Sequence, residues 1–250
     1  MKIKSASLNL ILILIVGGIG GILFDRVLLP ELSEFQFFHK IKFIGEDKNT
    51  TQIIQLTEQV IIRENEALEA AVQKVGPTVG VVLRKNQKGK ILEQFSGFIL
   101  TGDGFILTSG DFSEDANLYF LTKEKELPLE LVKKNKELNL AILKAEDSNF
   151  PTVPFGEFEK LRLGERVFLV GAKIDTSAKV GVNQTFQNFV NQGILKSISE
   201  EALTLNFLEE KHASGSPLFN IKGEMLGINL VDKNGEIKVV PINKIREFIK

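Results

Sequence analysis

Beyond Thr78 the chain is built from short apolar runs separated by turn residues. Residues 79–83, 91–100, 105–108, 118–121, 127–132 and 140–145 form a first group, and 166–170, 189–195, 203–208, 217–220, 225–230 and 237–240 a second. Short runs at even spacing predict an all-β fold of antiparallel strands, closed into barrels or stacked as sandwiches. Thr101-Gly-Asp-Gly104 reads as a turn between two strands, and Lys222-Gly223 and Asn234-Gly235 as hairpin signals. The pattern changes at both flanks. Glu66 to Val75 reads as a short amphipathic helix, with Asn65 as its N-cap and Gly76-Pro77 as its stop. A second short helix closes the chain over 243–250, with Ile245, Phe248 and Ile249 on one face. Upstream, Thr51 to Ile62 alternates and suggests an extended strand.

The N-terminus carries a different signal. Leu8 to Phe24 is a 17-residue stretch without a charge, interrupted only by Asn9 and closed by Asp25-Arg26. A bilayer-spanning helix needs about 20 apolar residues, and Val27-Leu-Leu29 extends the span if Arg26 snorkels to the interface. Lys2 and Lys4 precede it, so the positive-inside rule places the N-terminus in the cytoplasm and residues 30–250 outside. The rival reading is a signal peptide cleaved near the small residues at 17–21; no A-x-A-like site is present, which favours an uncleaved anchor. Either way the remainder is exported. The expected organisation is a cytoplasmic tip and transmembrane anchor over 1–29, a membrane-proximal segment over 30–64 and a folded region over 65–250.

Charge excludes one class of partner: 31 basic against 32 acidic residues leave no electrostatic footprint for nucleic acid. With no cysteine, disulfides, thiolate catalysis and cysteine-ligated metals are excluded. The two histidines, His39 and His212, lie too far apart for a paired metal motif, so neither a metal nor a cofactor is expected. Any mechanism that needs an imidazole base has only these two to draw on.

Three segments carry a resemblance. Ser96-Gly-Phe-Ile-Leu-Thr-Gly-Asp-Gly-Phe-Ile-Leu-Thr-Ser-Gly-Asp-Phe112 is similar to the strand, turn and T-N-x-H-V segment that supplies the catalytic histidine of HtrA/Deg-type trypsin-like serine peptidases. Leu138-Asn-Leu-Ala-Ile-Leu-Lys144 resembles the family's D-L-A strand with the catalytic aspartate. His212-Ala-Ser-Gly-Ser-Pro-Leu-Phe-Asn-Ile-Lys-Gly-Glu-Met-Leu-Gly-Ile-Asn229 resembles the block around the nucleophile. The resemblance covers about residues 65–250. It implies two Greek-key β-barrels side by side, the first over about 78–155 and the second over about 160–241, with the active site between them. The sequence stops where the family's PDZ module would begin.

The same resemblance shows what is altered. Ser214 stands at the nucleophile position, Asp111 at the histidine position and Asn139 at the aspartate position. His212 replaces a glycine whose N–H, with that of Ser214, forms the family's oxyanion hole. Leu208, six residues before Ser214, stands where the specificity pocket is floored and implies an apolar preference. A serine hydrolase needs a base that takes the hydroxyl proton and returns it to the leaving amine. A carboxylate beside a neutral amide does not supply one. Rescue by His212 or Lys211 is disfavoured because both sit in the same tight loop as Ser214, and His39 acts only from another subunit. Glu209 or Glu210 paired with Asp111 reads more simply as solvated loop acids.

Three functions remain open. The chain is an anchored pseudoprotease that binds unfolded or extended polypeptide, or pairs with active HtrA-like homologues. Alternatively it is a low-activity or nonstandard serine endopeptidase using Ser214, or a structural domain whose cleft is filled. The resemblance also raises the expectation of a homotrimer.

Overall fold

The computed structural model describes residues 13, 15–18, 20, 65–113, 117–174 and 186–250. Two compact units are separated at Glu64: Met1–Glu64 and Asn65–Lys250. In the first, Ile13, residues 15–18 and Gly20 are helical and exposed. Among the described residues no helix is long and apolar enough to cross a membrane. Most of the expected anchor, and all of the expected linker and strand over 30–64, lie outside the described residues.

The second unit is all-β and contains both groups of expected strands. Strands β1 (Val79–Lys85), β2 (Ile91–Ile99), β3 (Phe105–Ser109), β4 (Asn117–Leu121), β5 (Glu126–Asn135) and β6 (Leu140–Ala145) close a barrel in the order β1-β2-β3-β6-β5-β4. Strands β7 (Arg166–Ile174), β8 (Phe186–Ile198), β9 (Leu203–Leu208), β10 (Pro217–Asn220), β11 (Met225–Val231) and β12 (Glu236–Pro241) close a second in the order β10-β11-β12-β9-β8-β7. In each, the fourth strand returns beside the first, which is the Greek-key order. The hairpin turns fall at the glycines expected, with Gly104, Gly223 and Gly235 all at positive φ.

Strand alternation decides where the core lies, because successive side chains face opposite sides of a sheet. Along β1, Val82 points into the first barrel with Phe95, Ile106, Phe120 and Leu143. Its neighbours Val81 and Leu83 point the other way, into a core shared between the barrels. Phe219 stands at that seam, with its ring centroid 6.2 Å from Phe98 and 5.5 Å from Phe168. A separate cluster including Val167, Leu169, Leu195, Leu218 and Val239 fills the second barrel. Strands β1 and β10 are thus buried on both faces, which is why they read as continuous apolar runs.

Helix α1 spans residues 65–75 and is already helical at Asn65, so Asn65 lies inside the helix rather than capping it. At its far end the chain tightens into a 3-10 turn, Gly76–Thr78, where the Thr78 hydroxyl donates to the Val75 carbonyl at 2.6 Å. Helix α2, Ile242–Ile249, follows Pro241 and buries Ile242, Ile245 and Phe248 on the shared core.

Candidate functional site

The seam between the barrels is tied by one small polar residue. Ser96, fully buried on β2, donates its N–H to the Ser214 carbonyl at 3.0 Å and its hydroxyl to the His212 carbonyl at 3.0 Å. The same hydroxyl accepts the Ala172 N–H of β7 at 3.0 Å, and the Ser96 carbonyl accepts the Thr108 hydroxyl at 2.8 Å. The loop around Ser214 is therefore held by the first barrel as well as by the second. Gly215 makes this approach possible. A Cβ there would stand 2.2 Å from the Ser96 carbonyl oxygen, and its φ of +88° is one that only glycine adopts without strain.

The chain around Ser214 consumes its own donors. Lys211–Ala213 forms a 3-10 turn in which Ala213 N–H donates to the Glu210 carbonyl at 2.9 Å and Ser214 N–H to the Lys211 carbonyl at 3.0 Å. Gly215 N–H donates to the Asn229 carbonyl at 2.8 Å and Ser216 N–H to the Ala213 carbonyl at 3.0 Å. Four consecutive backbone N–H groups are thus spent inside the protein. An oxyanion hole requires the opposite, donors aimed at the place where negative charge develops. The Ser214 side chain is equally committed. It is 5% exposed, and its Oγ accepts the Val231 N–H at 2.9 Å, capping the end of β11.

His212 faces away from Ser214. Its ring meets Phe189 edge-on at 4.9 Å, and Nδ1 lies 3.2 Å from a Glu210 carboxylate oxygen. Phe189 reaches it from β8 by lying over the bare Cα of Gly171 on β7, its register partner. Burial lowers the pKa of His212, against the opposing pull of Glu210, and Lys173 adds to the lowering. The ring packs on Phe189 and makes no hydrogen bond to the Ser214 hydroxyl.

Asp111 and Asn139 come together with this loop. Asp111 is exposed in the segment after β3, and its carboxylate pairs with Lys211 Nζ at 3.0 Å, linking that segment to the turn before Ser214. Asn139 is also exposed, in the turn before β6. Its φ of +52° is one that asparagine tolerates, and its carbonyl accepts the Gly110 N–H at 2.8 Å. Both residues line a groove of about 510 Å³ at the mouth of the first barrel. Leu208, expected at the floor of a specificity pocket, lies on the outer side of β9. It is 62% exposed, because β9 alternates and Leu208 falls on the outward side with Asn206 while Leu203 and Leu205 point in. Phe189 and Val231, which place the site, carried no signal in the sequence, and Ser96 stood out only as the head of a strand motif. Among the described residues no cluster of His, Asp and Glu could hold a metal ion.

Comparison with known proteins agrees with this geometry. The family model for the trypsin-like peptidase domain matches residues 95–228, more than half of the chain, from within β2 to within β11. A probable periplasmic serine endoprotease, DegP-like, from Pseudomonas putida is 35% identical over 147 residues, covering 54% of this chain and 28% of that protein. Its counterpart from Halomonas elongata is 32% identical over 138 residues, with the same coverages. Serine protease HTRA4 of Mus musculus is 28% identical over 208 residues, covering 75% of this chain and 41% of that protein. The chain thus spans well under half the length of these relatives. The two Greek-key barrels and the matched residues together place the chain in the trypsin-like peptidase family, with DegP-like and HtrA proteins among its relatives.

Proposed function

We propose that this domain is an exported, catalytically silent member of its family that acts by binding extended polypeptide or by partnering active homologues. One observation carries the reading. The Ser214 N–H and Oγ are both bound within the chain, to the Lys211 carbonyl and the Val231 N–H, so neither is presented to a substrate carbonyl. Asp111 at the base position and Asn139 at the carboxylate position add to it. A paired, exposed carboxylate does not take a serine proton near neutral pH and cannot return one to a leaving amine. Losing the base of such a triad removes on the order of 10⁶ in kcat. With the Ser214 N–H spent on the Lys211 carbonyl, one of the two expected oxyanion donors is withdrawn, and the residual rate that triad-deficient enzymes retain falls further.

Export is supported by the uncharged run from Leu8 to Phe24 and by the bacterial relatives, which are named as periplasmic. In this reading residues 1–29 anchor the domain and residues 65–250 face away from the cytoplasm. The decisive test is exposure of the purified domain to an activated fluorophosphonate, together with unfolded casein. The expected result is no label on Ser214 and no cleavage. Labelling or cleavage that disappears in Ser214→Ala overturns the proposal in favour of an active serine peptidase.

A further inference from the structure

The groove beside Asp111 and Asn139 has a charge pattern that the silent triad does not use. It lies at the end of the first barrel where β1 stops, β5 stops and β6 begins, and Arg84, Lys134 and Lys136 line it alongside those two residues. Two carboxylates also face it, and both are already paired. Glu93 takes the Arg84 Nε at 2.8 Å, and Asp111 takes Lys211 Nζ at 3.0 Å. Lys134 lies over the Phe112 ring at 4.7 Å and donates to the Phe112 carbonyl, which holds its ammonium at the groove wall. Arg84 spends only its Nε on Glu93, leaving the two terminal amino groups of the guanidinium for a second acceptor. The Lys136 ammonium and the Asn139 amide make no hydrogen bond or ion pair with described residues. The acids are neutralised, and the unspent groups are donors.

We propose that this groove binds carboxylate side chains of an acidic polypeptide segment, the class of polypeptide the domain would select. The inference rests on the polypeptide-binding reading above and deepens it. A groove of about 510 Å³ is within the range of ligand sites and far larger than one carboxylate requires, so a segment of chain fits better than a free anion. Its position decides the register. Asp111 joins the groove to Lys211 and so to the turn before Ser214, and a chain lying along the seam passes the groove on its first-barrel side. Guanidinium and ammonium groups bind carboxylates through charge-assisted hydrogen bonds, which are about twice as strong as neutral ones. The arrangement works against basic segments by leaving them the same unpaired cations.

The test is fluorescence anisotropy of the purified 65–250 unit with three labelled peptides of equal length: one rich in Asp and Glu, its Asn and Gln counterpart, and one rich in Lys. The acidic peptide is expected to bind at least tenfold more tightly than the neutral one at low salt, with the advantage shrinking as salt rises. Lys136→Glu, at an exposed turn, is expected to abolish that advantage, and Arg84→Gln to reduce it several-fold. Lys196→Glu, on the outer side of β8, is expected to leave it unchanged. Glutarate and inorganic phosphate serve as competitors, and displacement by either at micromolar concentration assigns the site to a small free anion and overturns the polypeptide proposal. Equal binding of acidic and neutral peptides, or an unaltered preference in Lys136→Glu, also overturns it while leaving the polypeptide-binding reading intact. Absence of binding by all three peptides overturns both.

Discussion

Placing histidine at 111 and aspartate at 139, the triad positions of the proposed reading, is expected to fail alone, for a reason that lies in the backbone. The perturbation is the pair Asp111→His and Asn139→Asp, made with and without His212→Gly. The first two changes return a base and the carboxylate that orients it, and so address a loss on the order of 10⁶ in kcat. They leave Ser214 N–H on the Lys211 carbonyl and Ser214 Oγ on the Val231 N–H. Freeing the hydroxyl costs one hydrogen bond, about 0.5–1.5 kcal/mol, or roughly 2- to 12-fold in rate. A missing oxyanion donor costs more, about 10²–10³-fold for each. His212→Gly removes the ring packed against Phe189 and Glu210, and gives the turn the conformational freedom to release the Ser214 N–H from the Lys211 carbonyl. The triple variant is therefore expected to cleave unfolded casein at least about 10²-fold faster than the double variant. The assay pairs casein turnover with fluorophosphonate labelling of Ser214, and circular dichroism verifies that each variant is folded. A double variant as active as the triple one refutes the assignment of silence to the loop's internal hydrogen bonds. A triple variant that neither cleaves nor labels refutes the placement of Asp111 and Asn139 at the triad positions.

Other consequences concern stability. Gly215→Ala places a methyl group 2.2 Å from the Ser96 carbonyl oxygen at a φ of +88°, and is expected to cost more than ~3 kcal/mol in urea denaturation. Ser96→Ala leaves the His212 carbonyl and the Ala172 N–H without their buried partner, with an expected loss of about 2–4 kcal/mol. A loss under about 0.5 kcal/mol would remove Ser96 from its role as the inter-barrel tie. The lowered pKa of His212 gives a pH dependence with a definite sign. As pH falls through the ordinary histidine value of 6.5, the unfolded chain takes up the proton before the folded domain does. That contribution to stability is complete above 6.5 and declines below it, so Tm falls more between about pH 7.5 and about pH 5.5 in the native protein than in His212→Gln. Equal slopes in the two proteins would exclude it.

The strand framework was legible because turn residues cut it into short apolar runs. The structure adds mainly to strand ends. β5 runs on to Asn135 and β8 starts at Phe186, both through stretches where polar residues dilute the pattern. Ser214, Asp111 and Asn139 were singled out in the sequence, and the fold sets Asp111 and Asn139 on one groove and pairs Asp111 with Lys211 in the turn before Ser214. The state of the loop was not legible. Its decisive acceptor is the Lys211 carbonyl, and Ser214 Oγ caps the Val231 N–H; backbone groups are common to every residue and leave no trace in sequence. The exposure of Leu208 was hidden for a related reason. Counting back from Ser214 ignores the outward parity of β9, and the side chain stands in solvent. Ser96 heads a recognisable motif, yet a serine in a strand does not announce the hydrogen bonds that converge on it from both barrels.

The seam holds two kinds of residue. Ser96, Gly215 and Asn229 are enclosed between the barrels or beneath the loop, and the fold depends on them. Asp111 and Asn139 stand at the surface, and their side chains support nothing in the core. A chain of this design can lose its chemistry one exposed residue at a time while its architecture stays whole. The same separation makes the scaffold receptive: new side chains at those two positions meet solvent and a groove, and the packed interior never registers the change.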